Sequence, residues 1–190
     1  MARSARYRVP FRRKRIGKTD YKKRLRFLLS KTPRLAVRKS LRSIVVQLIE
    51  YSPAGDRVVA SAHSRELRKY GWLGSGSNTS AAYLVGLLCA RKALEKNHSK
   101  AILDIGFHAP TKGSKIFAAL RGALDGGLEI PHQEDLIPDD SRIHGEHVAA
   151  YAKLVDKSKR FSKYLERNLD PETLPGHFEE VKKRIMGSKG

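Results

Sequence analysis

The chain is short of cysteine, tryptophan and methionine, with one, one and two in 190 residues. The lone thiol, Cys89, directly follows the mostly apolar run Leu84–Leu88, so no intrachain disulfide can form, which fits a reducing cytosol. No run of about 18 apolar residues occurs, and the N-terminus opens on arginines rather than on a charged cap followed by an apolar stretch. Neither export nor membrane spanning is expected, and a cytoplasmic location is. Acid is scarce as well: 19 Asp+Glu face 39 Lys+Arg, a formal charge of +20. A chain so charged requires a polyanionic partner, with nucleic acid first and an anionic membrane surface second. The length and an apolar content of 40% suit one folded domain with extended appendages.

The positive charge sits in an arm. Met1 to Arg42 holds 17 Lys+Arg and one acid, Asp20, whereas the remainder nets only +4. Met1 to Ile16 has too few apolar residues to bury and is expected to be disordered in isolation, taking its order from a partner. Thr19 is positioned to cap a helix with Asp20 in its first turn. Tyr21, Leu25, Leu28 and Leu29 then fall on one face at i, i+4, i+7 and i+8. A solvated charged helix docked on a core explains that helix alone, but it explains the preceding arginine run poorly. Tyr7, Phe11 and Tyr21 interleave with the arginines, which suits RNA: guanidinium forks bind phosphate bidentately while rings stack on unpaired bases. A membrane anchor requires a stronger apolar face. Charge alone leaves DNA open, because phosphate contacts carry no sequence information.

Beyond Pro33, alternating apolar residues predict strands at Leu35–Val37, Ile44–Ile49 and, after the Ser52–Asp56 turn, Arg57–Ala62, an antiparallel meander. Gly71–Gly76 links into a helix over Asn78–Asn97 that is apolar on most of its circumference and must be covered on several sides. Ala101–Ile105 reads as a strand, completing a βαβ unit with a parallel strand in the same sheet. A second helix over Ser114–Leu124 ends at Gly126-Gly127. Leu128–Val148 is acidic, with Glu129, Glu134, Asp135, Asp139, Asp140 and Glu146 against Arg142 alone, and is expected to meet a basic protein extension or cations rather than phosphate. After Tyr151, the aromatic residues Phe161, Tyr164 and Phe178 are spaced too irregularly for one long amphipathic helix, so short helices wrapping a larger assembly are expected. The fold class is α/β: a small mixed sheet with packed helices, a long basic N-terminal arm (1–33), a core (34–151) and a C-terminal helical extension (152–190).

Catalytic signatures are incomplete. Gly71–Gly76 precedes a helix, but Gly76 is followed by Ser77-Asn78 where a phosphate loop needs Gly-Lys-Ser/Thr, and Ser77, Asn78 and Thr79 suit an ordinary helix cap. His144 and His147 flank Glu146 at i and i+3, which is not the zinc-protease spacing; they read as residues of a helix start. Lys112-Gly113-Ser114-Lys115, close to His108, can hold a phosphate by backbone N–H and ammonium groups or be a solvated turn. No nucleophile elbow occurs. A nucleotide- or metal-dependent RNA enzyme is the weaker alternative, and no cofactor or metal is expected.

Several stretches resemble one family nearly end to end. They are Tyr7-Arg8-Val9-Pro10-Phe11-Arg12-Arg13-Lys14-Arg15, Gly17-Lys18-Thr19-Asp20-Tyr21, Pro33-Arg34-Leu35-Ala36-Val37-Arg38-Lys39-Ser40, Asn78-Thr79-Ser80-Ala81-Ala82-Tyr83-Leu84 and Pro110-Thr111-Lys112-Gly113-Ser114. Leu128-Glu129-Ile130-Pro131-His132 and Arg142-Ile143-His144-Gly145-Glu146-His147 add to it. Together they resemble the 5S-rRNA-binding ribosomal protein of the large subunit, universal family eighteen, in its archaeal form. Ser80 stands where the motif has proline, and either residue suits a first helical turn. The resemblance implies a structural protein without catalysis, in the central protuberance, with 5S rRNA, the large (23S) rRNA and protein five of the large subunit as partners, and neither DNA nor membrane. Carried onto this sequence, it implies RNA contact by Arg3, Arg6, Tyr7, Arg8, Phe11, Arg12, Arg13, Lys14, Arg15, Lys18, Tyr21, Lys22, Lys23, Arg24, Arg26, Lys31, Arg34, Arg38 and Lys39. Lys112 and Lys115 join them from the loop reading above.

Overall fold

The computed structural model describes residues 5–187. The arm carries one helical turn, α1 (Arg12–Arg15), and a longer helix, α2 (Tyr21–Leu29). Strands β1 (Arg34–Lys39), β2 (Ile44–Glu50) and β3 (Arg57–His63) form the expected antiparallel meander, with Leu35 opposite Leu48 and Val37 opposite Val46. A bulge at Leu48/Ile49 shifts the β2–β3 register. After a 3-10 turn at Glu66–Tyr70 come helix α3 (Thr79–Leu94), the short strand β4 (Ile102–Asp104) and helix α4 (Lys115–Asp125). Strand order is β3-β2-β1-β4, with β4 parallel to β1. The βαβ unit therefore exists, but its crossover from β3 passes over two strands before β4 joins the sheet.

Helix α3 is the centre of the core. Ala81 to Ala90 are all buried, which the all-round apolar character requires. Asn97, in the left-handed region at φ 61°, ends it as His98 N–H donates to the Ala93 carbonyl at 3.1 Å. Helix α4 lies against α3 at backbone contact distance. A Cβ on Gly86 would sit 2.0 Å from the Ala119 carbonyl oxygen, and one on Gly122 would sit 2.0 Å from that of Tyr83.

The C-terminal region starts with short helices, α5 (Asp140–His144), α6 (Glu146–Leu154), α7 (Lys157–Arg160) and α8 (Ser162–Leu165). Of these, α7 and α8 lie in the stretch after Tyr151 where irregular spacing predicts short helices, but the 14-residue helix that follows them departs from that reading. Gly145 at φ 89° makes the break between α5 and α6. Helix α9 (Leu174–Gly187) then returns to the core of its own chain. Its Leu174, Phe178, Val181 and Ile185, at i, i+4, i+7 and i+11, are buried in the same cluster as Tyr83 and Leu84. Only one of those four is aromatic, so a search for aromatic anchors passes over the stripe. Among the described residues, no helix is long and apolar enough to cross a membrane.

Candidate nucleic-acid interface

The arm is latched to the sheet by ion pairs. Asp20, not Thr19, caps α2: its carboxylate accepts from the N–H groups of Lys22 and Lys23 at 3.0 and 3.2 Å. Thr19 instead accepts from Arg13 Nε at 2.8 Å, folding α1 back on the loop. The face that α2 turns inward also differs from the apolar stripe. Leu25 and Leu29 are 60% and 74% exposed, while Arg24 and Phe27 turn toward the sheet. The cause is Asp56, before β3, which takes a bidentate pair of hydrogen bonds from Arg24 at 2.6 and 2.7 Å. Arg34 of β1, buried, bridges the same Asp56 at 2.8 Å and Asp104 of β4 at 3.0 Å. The Arg24 guanidinium holds the Asp56 carboxyl below the usual carboxylate range, and Asp56 in turn raises Arg24.

With these two arginines paired internally, the remaining arm cations face solvent. Arg6, Arg8, Arg12, Lys14, Arg15, Lys18, Lys22, Lys23, Arg26, Lys31, Arg38 and Lys39 are exposed and have no carboxylate partner among the described residues. Arg3 lies outside the described residues. Between the arm and the outer face of the sheet runs a groove of about 900 Å³, with Lys18, Lys23, Phe27, Ala36 and Arg38 among the residues that line it. Its carboxylates are all engaged: Asp20 by the α2 cap, Asp56 by two arginines, and Asp104 by Arg34 and by Gly106 N–H at 2.9 Å. The free charge of the groove is therefore positive.

Aromatic side chains border this charge. Tyr7 and Phe11 are 48% and 72% exposed, and Phe11 also meets Tyr21 with ring centroids 5.3 Å apart, so Tyr21 has part of its face covered. Phe107, which the arm-centred reading passed over, is half exposed in the loop after β4 and lines the groove beside His108. An aromatic directly after Gly106, in a loop between a strand and Pro110, was the available signal. Burial, with Lys39 nearby, pushes His108 below its ordinary value, leaving a neutral imidazole at pH 7 that can both donate and accept.

Much of the hydrogen bonding in the loops weighed for phosphate chemistry is internal to the fold. Gly113 N–H donates to the Leu136 carbonyl at 3.0 Å and Ser114 N–H to that of Thr111 at 3.2 Å, so these two donors are engaged, while Ser114 begins α4 without a side-chain cap. Lys112 pairs with Asp135 at 3.1 Å, both highly exposed, and Lys115 stands apart from the groove. In the glycine link, Ser77 Oγ donates to the Leu41 carbonyl at 2.9 Å, Arg167 donates to the Leu73 and Gly74 carbonyls, and Asn78 accepts from Ala81 N–H at 2.8 Å as the α3 cap. His144 lies at the end of α5, 3.4 Å from Glu179, and His147 lies within α6; among the described residues no cluster of metal-ligating side chains forms.

Comparison with known proteins gives a consistent result. A family profile described as "Ribosomal large subunit proteins 60S L5, and 50S L18" matches residues 5–101 and 95–133. The large ribosomal subunit protein uL18 of Thermofilum pendens is 52% identical over 191 residues, covering 97% of each chain. The protein of that name from Aeropyrum pernix is 53% identical over 192 residues, covering 97% of this chain and 90% of the relative.

Proposed function

Because the chain belongs to this family of large-subunit ribosomal proteins, in its archaeal uL18 branch, we propose that it is a noncatalytic clamp on 5S rRNA. The arm and the groove beneath it supply the contacts. In this reading the protein helps attach 5S rRNA to the large rRNA, with protein five of the large subunit as a neighbour. The carrying observation is the distribution of unpaired charge: every carboxylate in the groove is satisfied within the protein, whereas Lys18, Lys23 and Arg38 are not. Such a surface neutralises phosphate.

The residues divide into three roles. The exposed arm cations meet the backbone, and Tyr7, Phe11 and Phe107 stack on unpaired bases. Arg24 and Arg34 hold the arm at its angle to the sheet and reach RNA only indirectly. Lys112 and Lys115 add point charges at the periphery. Binding of labelled 5S rRNA, in competition with an unrelated structured RNA of equal length, tests the reading. The 5S species should win clearly, and equal competition would reject 5S recognition. Replacing Tyr7 or Phe11 by Ala should weaken binding by about 1–3 kcal/mol each while leaving the salt dependence unchanged.

A further inference from the structure

The sheet ends on an edge that its own chain begins to cover and then leaves. The segment 128–130 runs parallel to 99–101: Glu129 N–H donates to the Ser99 carbonyl at 2.8 Å, and Ala101 N–H donates to that of Glu129 at 3.1 Å. The next rung of a parallel ladder requires an N–H at position 131, and that residue is Pro131. The chain turns away there. Among the described residues, strand β4 is consequently the sheet's last strand and pairs only with β1. Ile102 N–H points to the Pro33 carbonyl at 2.9 Å, so the alternation of the ladder turns the N–H and C=O of Leu103 outward.

Alongside this edge lies an apolar groove of about 350 Å³. Leu103 and Ile105 of the edge, Phe117 and Leu120 of α4, and Pro131 and Leu136 of the departing chain line it. Phe27 of α2 also lines it. Leu136, the last residue of the 3-10 turn at Glu134–Leu136, lines the groove, and Glu134 and Asp135 of the same turn are exposed. Lys112 pairs with Asp135 and Lys100 with Glu129, at 3.1 and 3.3 Å and in the open, and Lys23 also lies at the rim. Glu134, Asp139, Asp140 and Glu146 are exposed and have no ion-pair partner among the described residues. Against these four carboxylates stand two unpaired cations, Lys23 at the groove and Arg142 beside Asp140, so the free charge of the 134–146 stretch and the groove is on balance negative, on a chain of formal charge +20.

We propose that the β4 edge and this groove dock an extended, basic segment of another protein of the large subunit. The segment adds a short strand at Leu103, seats apolar side chains in the groove and sets Lys or Arg on Glu134, Asp139 and Asp140. Three features select that occupant. An open edge takes extended backbone, the groove takes apolar side chains, and unpaired carboxylates repel phosphate and attract a basic chain. The inference rests on the ribosomal reading above.

The test places a photocrosslinking amino acid at His132, which lines the groove, in the full chain. The chain is assembled into large subunits, irradiated, and the crosslinked partner sequenced. The proposal expects one Lys/Arg-rich stretch of a single ribosomal protein. It also expects the yield to fall by roughly tenfold or more when Glu134→Lys, Asp139→Lys and Asp140→Lys are combined, since like charges then face each other. Those three positions are exposed, and unchanged 5S rRNA binding by the isolated chain checks that the variant folds. Crosslinks to rRNA, to a segment lacking basic residues, or to nothing would overturn the proposal and leave the ribosomal reading intact. Failure of the unsubstituted chain to enter the subunit would overturn that reading and the proposal with it.

Discussion

Asp56 accepts from two arginines on different elements, Arg24 at 2.6 Å and Arg34 at 2.8 Å, so one carboxylate fixes both the arm and the sheet edge. Asp56→Asn should leave the buried Arg34 half-paired and lower stability by about 1–3 kcal/mol, read in urea melts. Because the folded carboxyl lies below its ordinary value of 3.8, the stabilisation is complete above that pH and is lost as pH falls through the lower folded value. His177 behaves with the same sense of pH for a different reason. Its Nε2 accepts from Leu73 N–H at 3.1 Å and its ring stacks on Trp72 at 5.2 Å, so burial holds it neutral, below its ordinary 6.5. Below about pH 6.5 the unfolded chain binds the extra proton first, so stability should fall as pH drops. His177→Gln, whose amide oxygen can still accept, should flatten melts compared between pH 7.5 and 5.5 relative to the parent. An identical pH dependence in the variant would contradict this account. Neither role is legible in the sequence: Asp56 reads as a turn residue and Arg24 as one more cation, because their pairing joins positions 32 apart.

Helices α3 and α4 meet through glycine, and that contact positions β4 and the loop bearing Phe107. Gly86→Ala or Gly122→Ala places a methyl 2.0 Å from a carbonyl oxygen of the facing helix, so the helices must separate, at a cost of about 1–3 kcal/mol. Gly176→Ala in α9, where a Cβ meets nothing within 4 Å, should instead stabilise by roughly 0.4–1 kcal/mol. Thermal melts of the three variants separate close packing from generic helix propensity; equal effects would refute the contact. The elements themselves are legible in the sequence, since the period-2 runs at Leu35–Val37 and Ile44–Ile49 and the apolar circumference of α3 each have one physical solution. The face of α2 is not. Its apolar stripe points Leu25 and Leu29 inward, yet the Arg24–Asp56 pair turns the helix and leaves both exposed. A tertiary ion pair overrides local periodicity there.

At the scale of the whole molecule, a body of sheet and helices carries an arm whose charge it cannot neutralise. Residues 34–187 contain the sheet, α3, α4 and the buried stripe of α9, so removing 1–33 should leave a soluble, cooperatively folding protein. Wholesale loss of circular dichroism would contradict that division. A truncation at Tyr151 is different, because it removes Leu174, Phe178, Val181 and Ile185 from the core and should unfold the body. The charge asymmetry that points to nucleic acid is readable from composition alone. The groove is not, because Arg38, Phe107 and His108 converge only through the parallel β1–β4 pairing. The most direct test of the account is the salt dependence of 5S rRNA binding, measured for the full chain and for residues 34–190. Residues 1–33 hold 13 Lys+Arg. If half of them engage phosphate, at about 0.7–0.9 per contact, deletion should weaken binding and flatten the slope of log affinity against log salt by roughly 5 units. Equal affinity and equal slope for the two chains would place recognition on the body and contradict the arm as the clamp.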